Sequence, residues 1–131
     1  TNDKWGFTLG YSPDGLVGDD GLIEVKSRMQ KYQVETILSR AMPDDFMIQV
    51  QTGLLVSERE WCHFVSYSGG MPMCIVRVFP DELVQAAIIQ AAAAFEKDMA
   101  VKIADYHAAL ADMKTAGLYI ETERQKEDIE V

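Results

Sequence analysis

The sequence predicts an α/β domain, and three observations carry that reading. Short segments rich in β-branched and aromatic residues occur at Leu22–Lys26, Glu60–Tyr67 and Met73–Phe79. Between and after them run stretches with apolar residues at helical spacing. Glycine-bearing turns, Gly18–Gly21 and Ser68–Pro72, punctuate the chain. With 131 residues, 48% hydrophobic and 25% charged, the chain is long enough for one core and ordinary in composition for a folded domain.

Taken in order, Trp5 to Val17 reads as extended, interrupted at Ser12-Pro13-Asp14-Gly15. The turn Gly18-Asp19-Asp20-Gly21 then leads into the short strand Leu22–Lys26, so these two arms are expected to form a hairpin. Gln30 to Arg40 is weakly helical. Met42-Pro43-Asp44-Asp45 resembles a helix start, with Asp44 or Asp45 as the cap. Phe46, Met47, Val50 and Leu54 share one side of the helix that follows, which is expected to run to about Val56. Gln49 and Gly53 lie at one edge of that side and Gln51 near the other.

Glu60–Tyr67 and Met73–Phe79 predict a second hairpin. Pro80-Asp81-Glu82 then opens a long helix, with proline in the first turn and acids complementing the helix dipole. Leu83, Ala87, Ala91, Ala94, Phe95, Ile103, Tyr106, Leu110 and Met113 recur on it at helical intervals, and Gly117 suits a left-handed cap. The expected organisation is one domain over 1–117 and an acidic C-terminal tail over 118–131, either solvated or a frayed helix end.

The net charge of −9 counts against a nucleic-acid binder, because affinity for DNA comes largely from Lys and Arg neutralising phosphates. The objection is limited, since a local basic lining and bound divalent cations would suffice. Cys62 and Cys74 form no CxxC and no zinc-spaced cluster, so both are expected to be buried free thiols. No stretch is long and apolar enough to span a membrane and no signal peptide is visible, so an intracellular, reducing compartment is the default expectation. His63 is expected to be packed or at the surface, and His107 exposed. Ser12 and Ser27 lack a neighbouring base for nucleophilic chemistry.

Chemistry concentrates between Ser12 and Ser27. Glu24 and Lys26 are two apart on a strand and so share a face, leaving Ile23 and Val25 to point into the core. Asp14 lies across the turn, where a hairpin could bring it within reach. Asp14 and Glu24 offer hard oxygen ligands for Mg²⁺, and the Val25 carbonyl could add another. A metal held there would polarise a phosphate and lower the pKa of a bound water. Lys26 could orient or deprotonate that water, or stabilise charge in the transition state. The plain alternative is a surface Glu–Lys pair that contributes little. Pro13-Asp14-Gly15, the short turn and the Glu-x-Lys strand together favour a catalytic reading. Arg28, Lys31 and Arg40 follow the strand and are either DNA-phosphate contacts or ordinary helix-surface charges.

Tyr11-Ser12-Pro13-Asp14-Gly15-Leu16 followed by Gly21-Leu22-Ile23-Glu24-Val25-Lys26 resembles the active-site signature of the phage lambda exonuclease group, the YqaJ-like viral recombinases, within the PD-(D/E)XK nucleases. Asp45–Gln51 resembles that family's helix with a Q-V-Q element, and Trp61–Tyr67 its aromatic-rich strand. The resemblance extends from Gly10 to about Leu110. It implies a restriction-endonuclease-like core, a mixed β-sheet flanked by helices. It also implies a Mg²⁺-dependent 5′-to-3′ exonuclease acting on double-stranded DNA ends, with Mn²⁺ able to substitute. Asp14, Glu24 and the Val25 carbonyl would hold the metal, Lys26 would be the catalytic lysine, and Gln49 would sit beside the centre. A helix-edge amide bonded to backbone is the alternative for Gln49. Expected partners are an annealing protein and two further copies in a trimeric ring, in the cytoplasm of a bacterial or phage-infected cell. In that family, helices ahead of the first strand supply a further acid and basic residues for the 5′-phosphate. The chain is expected to lack them, making 1–117 a partial nuclease core. Two other readings stand beside this one: an endonuclease or repair nuclease with the same site, and a catalytically silent α/β interaction module.

Overall fold

The structure, a computed structural model, describes residues 1–123. Its elements are β1 (Gly15–Val17), β2 (Gly21–Ser27), α1 (Gln30–Ser39), a 3₁₀ turn (Asp44–Phe46), α2 (Met47–Ser57), β3 (Trp61–Tyr67), β4 (Cys74–Val78) and α3 (Glu82–Thr115). The strands form one four-stranded sheet in the order β1-β2-β3-β4. β1–β2 and β3–β4 are antiparallel, whereas β2 and β3 run parallel from Gly21↔Trp61 to Ser27↔Tyr67. The two expected hairpins are therefore joined into a single mixed sheet. Parallel neighbours need a long crossover, and α1 and α2 supply it.

Those helices cover one face of the sheet. The core beneath them is Leu22, Met42, Val50, Leu54, Cys62 and Phe64, with Tyr11, Phe46, Met47, Val76 and Val78 packed against it. Strand alternation is as expected, but the buried face is the opposite one. Leu22 and Glu24 point inward, while Ile23 is half-buried and Val25 is 44% exposed. A two-residue period separates the faces without saying which one a helix will cover. Glu24 is consequently buried in the layer between sheet and helices.

Two buried amides tie the layers together. Gln33 of α1 donates from Nε2 to the carbonyls of Ser66 (3.1 Å) and Pro72 (2.8 Å) and accepts from Ser66 Oγ at 2.5 Å. Gln51 of α2 donates to the Phe79 carbonyl and accepts from the Asp81 N–H, both at 2.8 Å. Both side chains are essentially inaccessible, and their polar atoms are paired as burial requires.

Several local expectations are corrected. Trp5–Val17 is not a continuous strand: it contributes the short β1 and one isolated bridge, Asn2↔Leu9. Pro13, lacking an N–H, cannot extend the ladder. Neither Asp44 nor Asp45 caps a helix with its side chain, because the 3₁₀ turn that contains them feeds directly into α2. Pro80 lies outside α3, and Asp81 caps it, with Oδ1 accepting from Leu83 N (3.0 Å) and Val84 N (3.1 Å). Cys62 is buried as expected, but Cys74 is only half-buried, and both are free thiols.

The chain divides into two compact units, one of Thr1–Ala93 and one beginning at Ala94. Within the first, the half-buried positions of α3 are Val84, Gln85, Ile88, Ile89 and Ala92, whereas Leu83, Ala87 and Ala91 are exposed. The apolar stripe expected from the sequence is thus rotated from the face that packs. In the second, Gly117 adopts φ 71° and the Leu118 N–H bonds back to the Met113 carbonyl at 2.9 Å, ending α3 as expected. The acidic tail over 118–131 falls largely outside the described residues. No helix among those described is long and apolar enough to cross a membrane.

Leu54 is 1% exposed at the centre of the core. Leu54→Ala is expected to destabilise the fold by about 2–5 kcal/mol. In urea unfolding this should appear as a lower midpoint at unchanged slope.

Candidate active site

β2 carries Glu24 and Lys26 toward the covered face, two residues apart near its C-terminal end. Glu24 is 2% exposed, yet its carboxylate is surrounded by donors. Lys26 Nζ lies 2.6 Å from Oε1, and Gln49 Nε2, reaching in from the edge of α2, bonds the same oxygen. Tyr11 donates its hydroxyl to Oε2 at 2.6 Å. Gln49 therefore bonds the carboxylate itself, and its alternative as a backbone-bonded amide does not hold. The Lys26 ammonium also lies 5.5 Å from the centroid of Phe46, in cation–π range.

Asp14 reaches β2 from the segment ahead of β1. Its N–H donates to the Ile23 carbonyl at 3.2 Å, and its Oδ2 accepts from the Val25 N–H at 2.7 Å. The carboxylate thus takes the place of a ladder partner for Val25, two residues past Ile23 of the last β1 pair, Gly15↔Ile23. The Val25 carbonyl lies on this same edge, because N–H and C=O of one strand residue share a side. The structure accordingly brings Asp14, Glu24, Val25, Lys26 and Gln49 together at one end of one strand.

The donor set suits a hard cation: two carboxylates and a strand-edge carbonyl. Among the described residues no group of three or more His, Cys, Asp or Glu is placed to hold a metal.

Burial pushes the Tyr11 hydroxyl far above its ordinary pKa, with the Glu24 carboxylate adding to the effect, and Tyr11 stays a donor. Burial, followed by the negative charge of Glu24, raises the Cys62 thiol to about 11. His63 is pushed down, first by desolvation and then by Arg77, whose Nε donates to His63 Nε2 at 3.0 Å. With its ring 4.4 Å from that of Trp61, His63 is a packed residue.

Of the basic residues, Arg28 adjoins the site. Its guanidinium lies 5.1 Å from the Phe46 ring and 5.2 Å from Tyr32, at the wall of a cavity of about 700 Å³. The Lys31 Nζ lies 4.5 Å from the centroid of the Tyr32 ring. Arg40 closes α1 in a left-handed conformation, φ 55°. One member of the cluster, Tyr11, carries no local signal of its role in the sequence. Tyr11 was legible only as part of a signature, though a glycine inside α2, Gly53, signals a close approach to that helix.

A mixed sheet covered by helices, with an aspartate and a Glu-x-Lys pair meeting at the end of its second strand, is a PD-(D/E)XK-type fold. The structure is similar to the crystal structure of an alkaline exonuclease, LHK-Exo, from Laribacter hongkongensis. The TM-score is 0.73 at 33% identity, over 78% of this chain and 55% of that one. The same exonuclease in complex with dAMP gives 0.72 at 33% identity, over 78% and 54%. The chain therefore spans about half the length of the exonuclease it matches. No protein-family model matches the sequence, and no curated protein matches it.

Cys62 supplies a test of the site's burial. Its thiol moves from an ordinary 9.0 to about 11 in the fold, so the unfolded chain releases this proton at lower pH than the native state does. The stability this contributes is whole below about pH 9 and is lost as pH rises through about 11. Thermal melts across that window should show a steeper alkaline decline for the parent than for Cys62→Ala. Equal slopes would place Cys62 in a more solvated setting.

Proposed function

We propose that the chain is the core of a Mg²⁺-dependent DNA exonuclease that hydrolyses the phosphodiester bonds of double-stranded ends in the 5′-to-3′ direction. The convergence of Asp14, Glu24, Lys26 and Gln49 supports this most directly, in a fold similar to that of an alkaline exonuclease. Asp14, Glu24 and the Val25 carbonyl would hold Mg²⁺, with Mn²⁺ able to replace it. When bound, the metal supplies Lewis-acid polarisation of the phosphate and a more acidic water.

The remaining work falls to this chain's own groups. Lys26 lies beside a buried carboxylate, where its amine group orients a water or neutralises charge growing on the phosphate. The surrounding burial strengthens that interaction relative to open water. Gln49 holds the shared Glu24 oxygen from the helix side. LHK-Exo is known in complex with dAMP, a mononucleotide, and release of mononucleotides is the proposed outcome here as well.

The proposed setting is recombination by strand annealing, with a single-strand annealing protein as partner. Assembly of three copies into a ring around DNA would gather sparse basic residues on one inner surface. Such a lining would be locally basic despite the net charge of −9.

Incubation with Mg²⁺ and either linear or closed circular duplex tests the reading. Linear DNA should be degraded from its 5′ ends and circles left intact, whereas cut circles would indicate an endonuclease and no digestion a silent module. Lys26→Ala is expected to lower the rate by about 10²–10³-fold with an unchanged circular dichroism spectrum. Activity retained in that variant would remove Lys26 from the mechanism.

A further inference from the structure

Glu24 is gripped unevenly. Lys26 and Gln49 both bond Oε1, whereas Oε2 receives Tyr11. The terminal torsion of a glutamate is broad and roughly two-fold, so bonds to one oxygen leave the carboxylate free to swing about it. A donor on the second oxygen fixes the plane. That donor comes from neither the strand nor the helix that supplies the others.

The Tyr11 ring is itself held in place by the absence of a side chain. Gly53 is buried in α2, and a Cβ there would stand 2.5 Å from Tyr11 Cζ and 2.6 Å from Cε1. Glycine inside a helix is less stable than alanine by about 0.5–1 kcal/mol, so the position needs a reason. The seat for the ring provides one, since no larger residue leaves room for it. Three residues along the same segment, Asp14 binds the Val25 N–H. A ring anchored on α2 thus sets both the Glu24 plane and the approach of the second carboxylate.

We propose that Tyr11, seated on Gly53, is a positioning residue that presets the Glu24 and Asp14 carboxylates for a divalent cation. This rests on the reading of Glu24 and Asp14 as the metal pair. Mg²⁺ demands near-ideal oxygen placement, and partners that orient ligands are worth about 10–100-fold in metal affinity.

Mn²⁺ titration of the protein without DNA, followed by calorimetry, tests the idea alongside thermal melting. The parent should bind and Glu24→Gln should lose binding. Tyr11→Phe keeps the ring on its glycine and should retain the fold while weakening Mn²⁺ by about 10–100-fold. Gly53→Ala should give a similar shift and add little in the Tyr11→Phe background, because both act through one contact. If Gly53→Ala does not fold, Tyr11→Phe decides alone. Unchanged affinity in Tyr11→Phe, with Glu24→Gln still abolishing binding, overturns the proposal and leaves the metal pair standing. A lowered melting temperature without a change in affinity would likewise reduce Tyr11 to a packing residue. A parent that binds no Mn²⁺ overturns both.

Discussion

The carboxylate of Glu24 is the constraint around which the first unit of the molecule is arranged. A carboxylate at 2% exposure is costly unless it is paired and hydrogen-bonded. Lys26, Gln49 and Tyr11 satisfy it, and each comes from a different part of the chain: the same strand, the crossover helix and the segment ahead of β1. Removing any one leaves the buried carboxylate short of a partner. Fold and site therefore share one polar network, and the close seating of sheet, helix and lead-in segment follows from it.

That network depends on a parallel register. Pairing β2 with β3 over Gly21↔Trp61 to Ser27↔Tyr67 sets Leu22 and Glu24 over Cys62 and Phe64, on the face that α2 covers. Gln51 locks α2 to the start of α3, and Gln33 locks α1 to β3. Two glutamines of α2 thus serve different ends. Gln49, at the outer edge, reaches the carboxylate, while Gln51, wholly buried, pairs with backbone. Two residues of one helix, on different sides of it, thus take up a side-chain carboxylate in one case and backbone in the other.

The acidity of the chain and the proposed chemistry are compatible because they operate at different ranges. A net charge of −9 governs long-range attraction, whereas the site depends on charges within bonding distance. Locally, Lys26 and Arg28 both lie against Phe46, so two cations stand at the covered end of β2.

Much of this was legible in the chain itself. Alternation on Leu22–Lys26 places Glu24 and Lys26 on one face in any strand, the glycine-bearing turn brings Asp14 back to it, and the helical stretches appear near their expected bounds. These are local consequences of backbone geometry. Tertiary structure decided what periodicity leaves open: which face of β2 is covered, that β2 and β3 pair in parallel, and which stripe of α3 packs. It also decided the partners of Glu24. Tyr11 and Gln49 lie 13 and 25 residues from it, and contacts across such separations depend on how the layers stack, which no local pattern encodes.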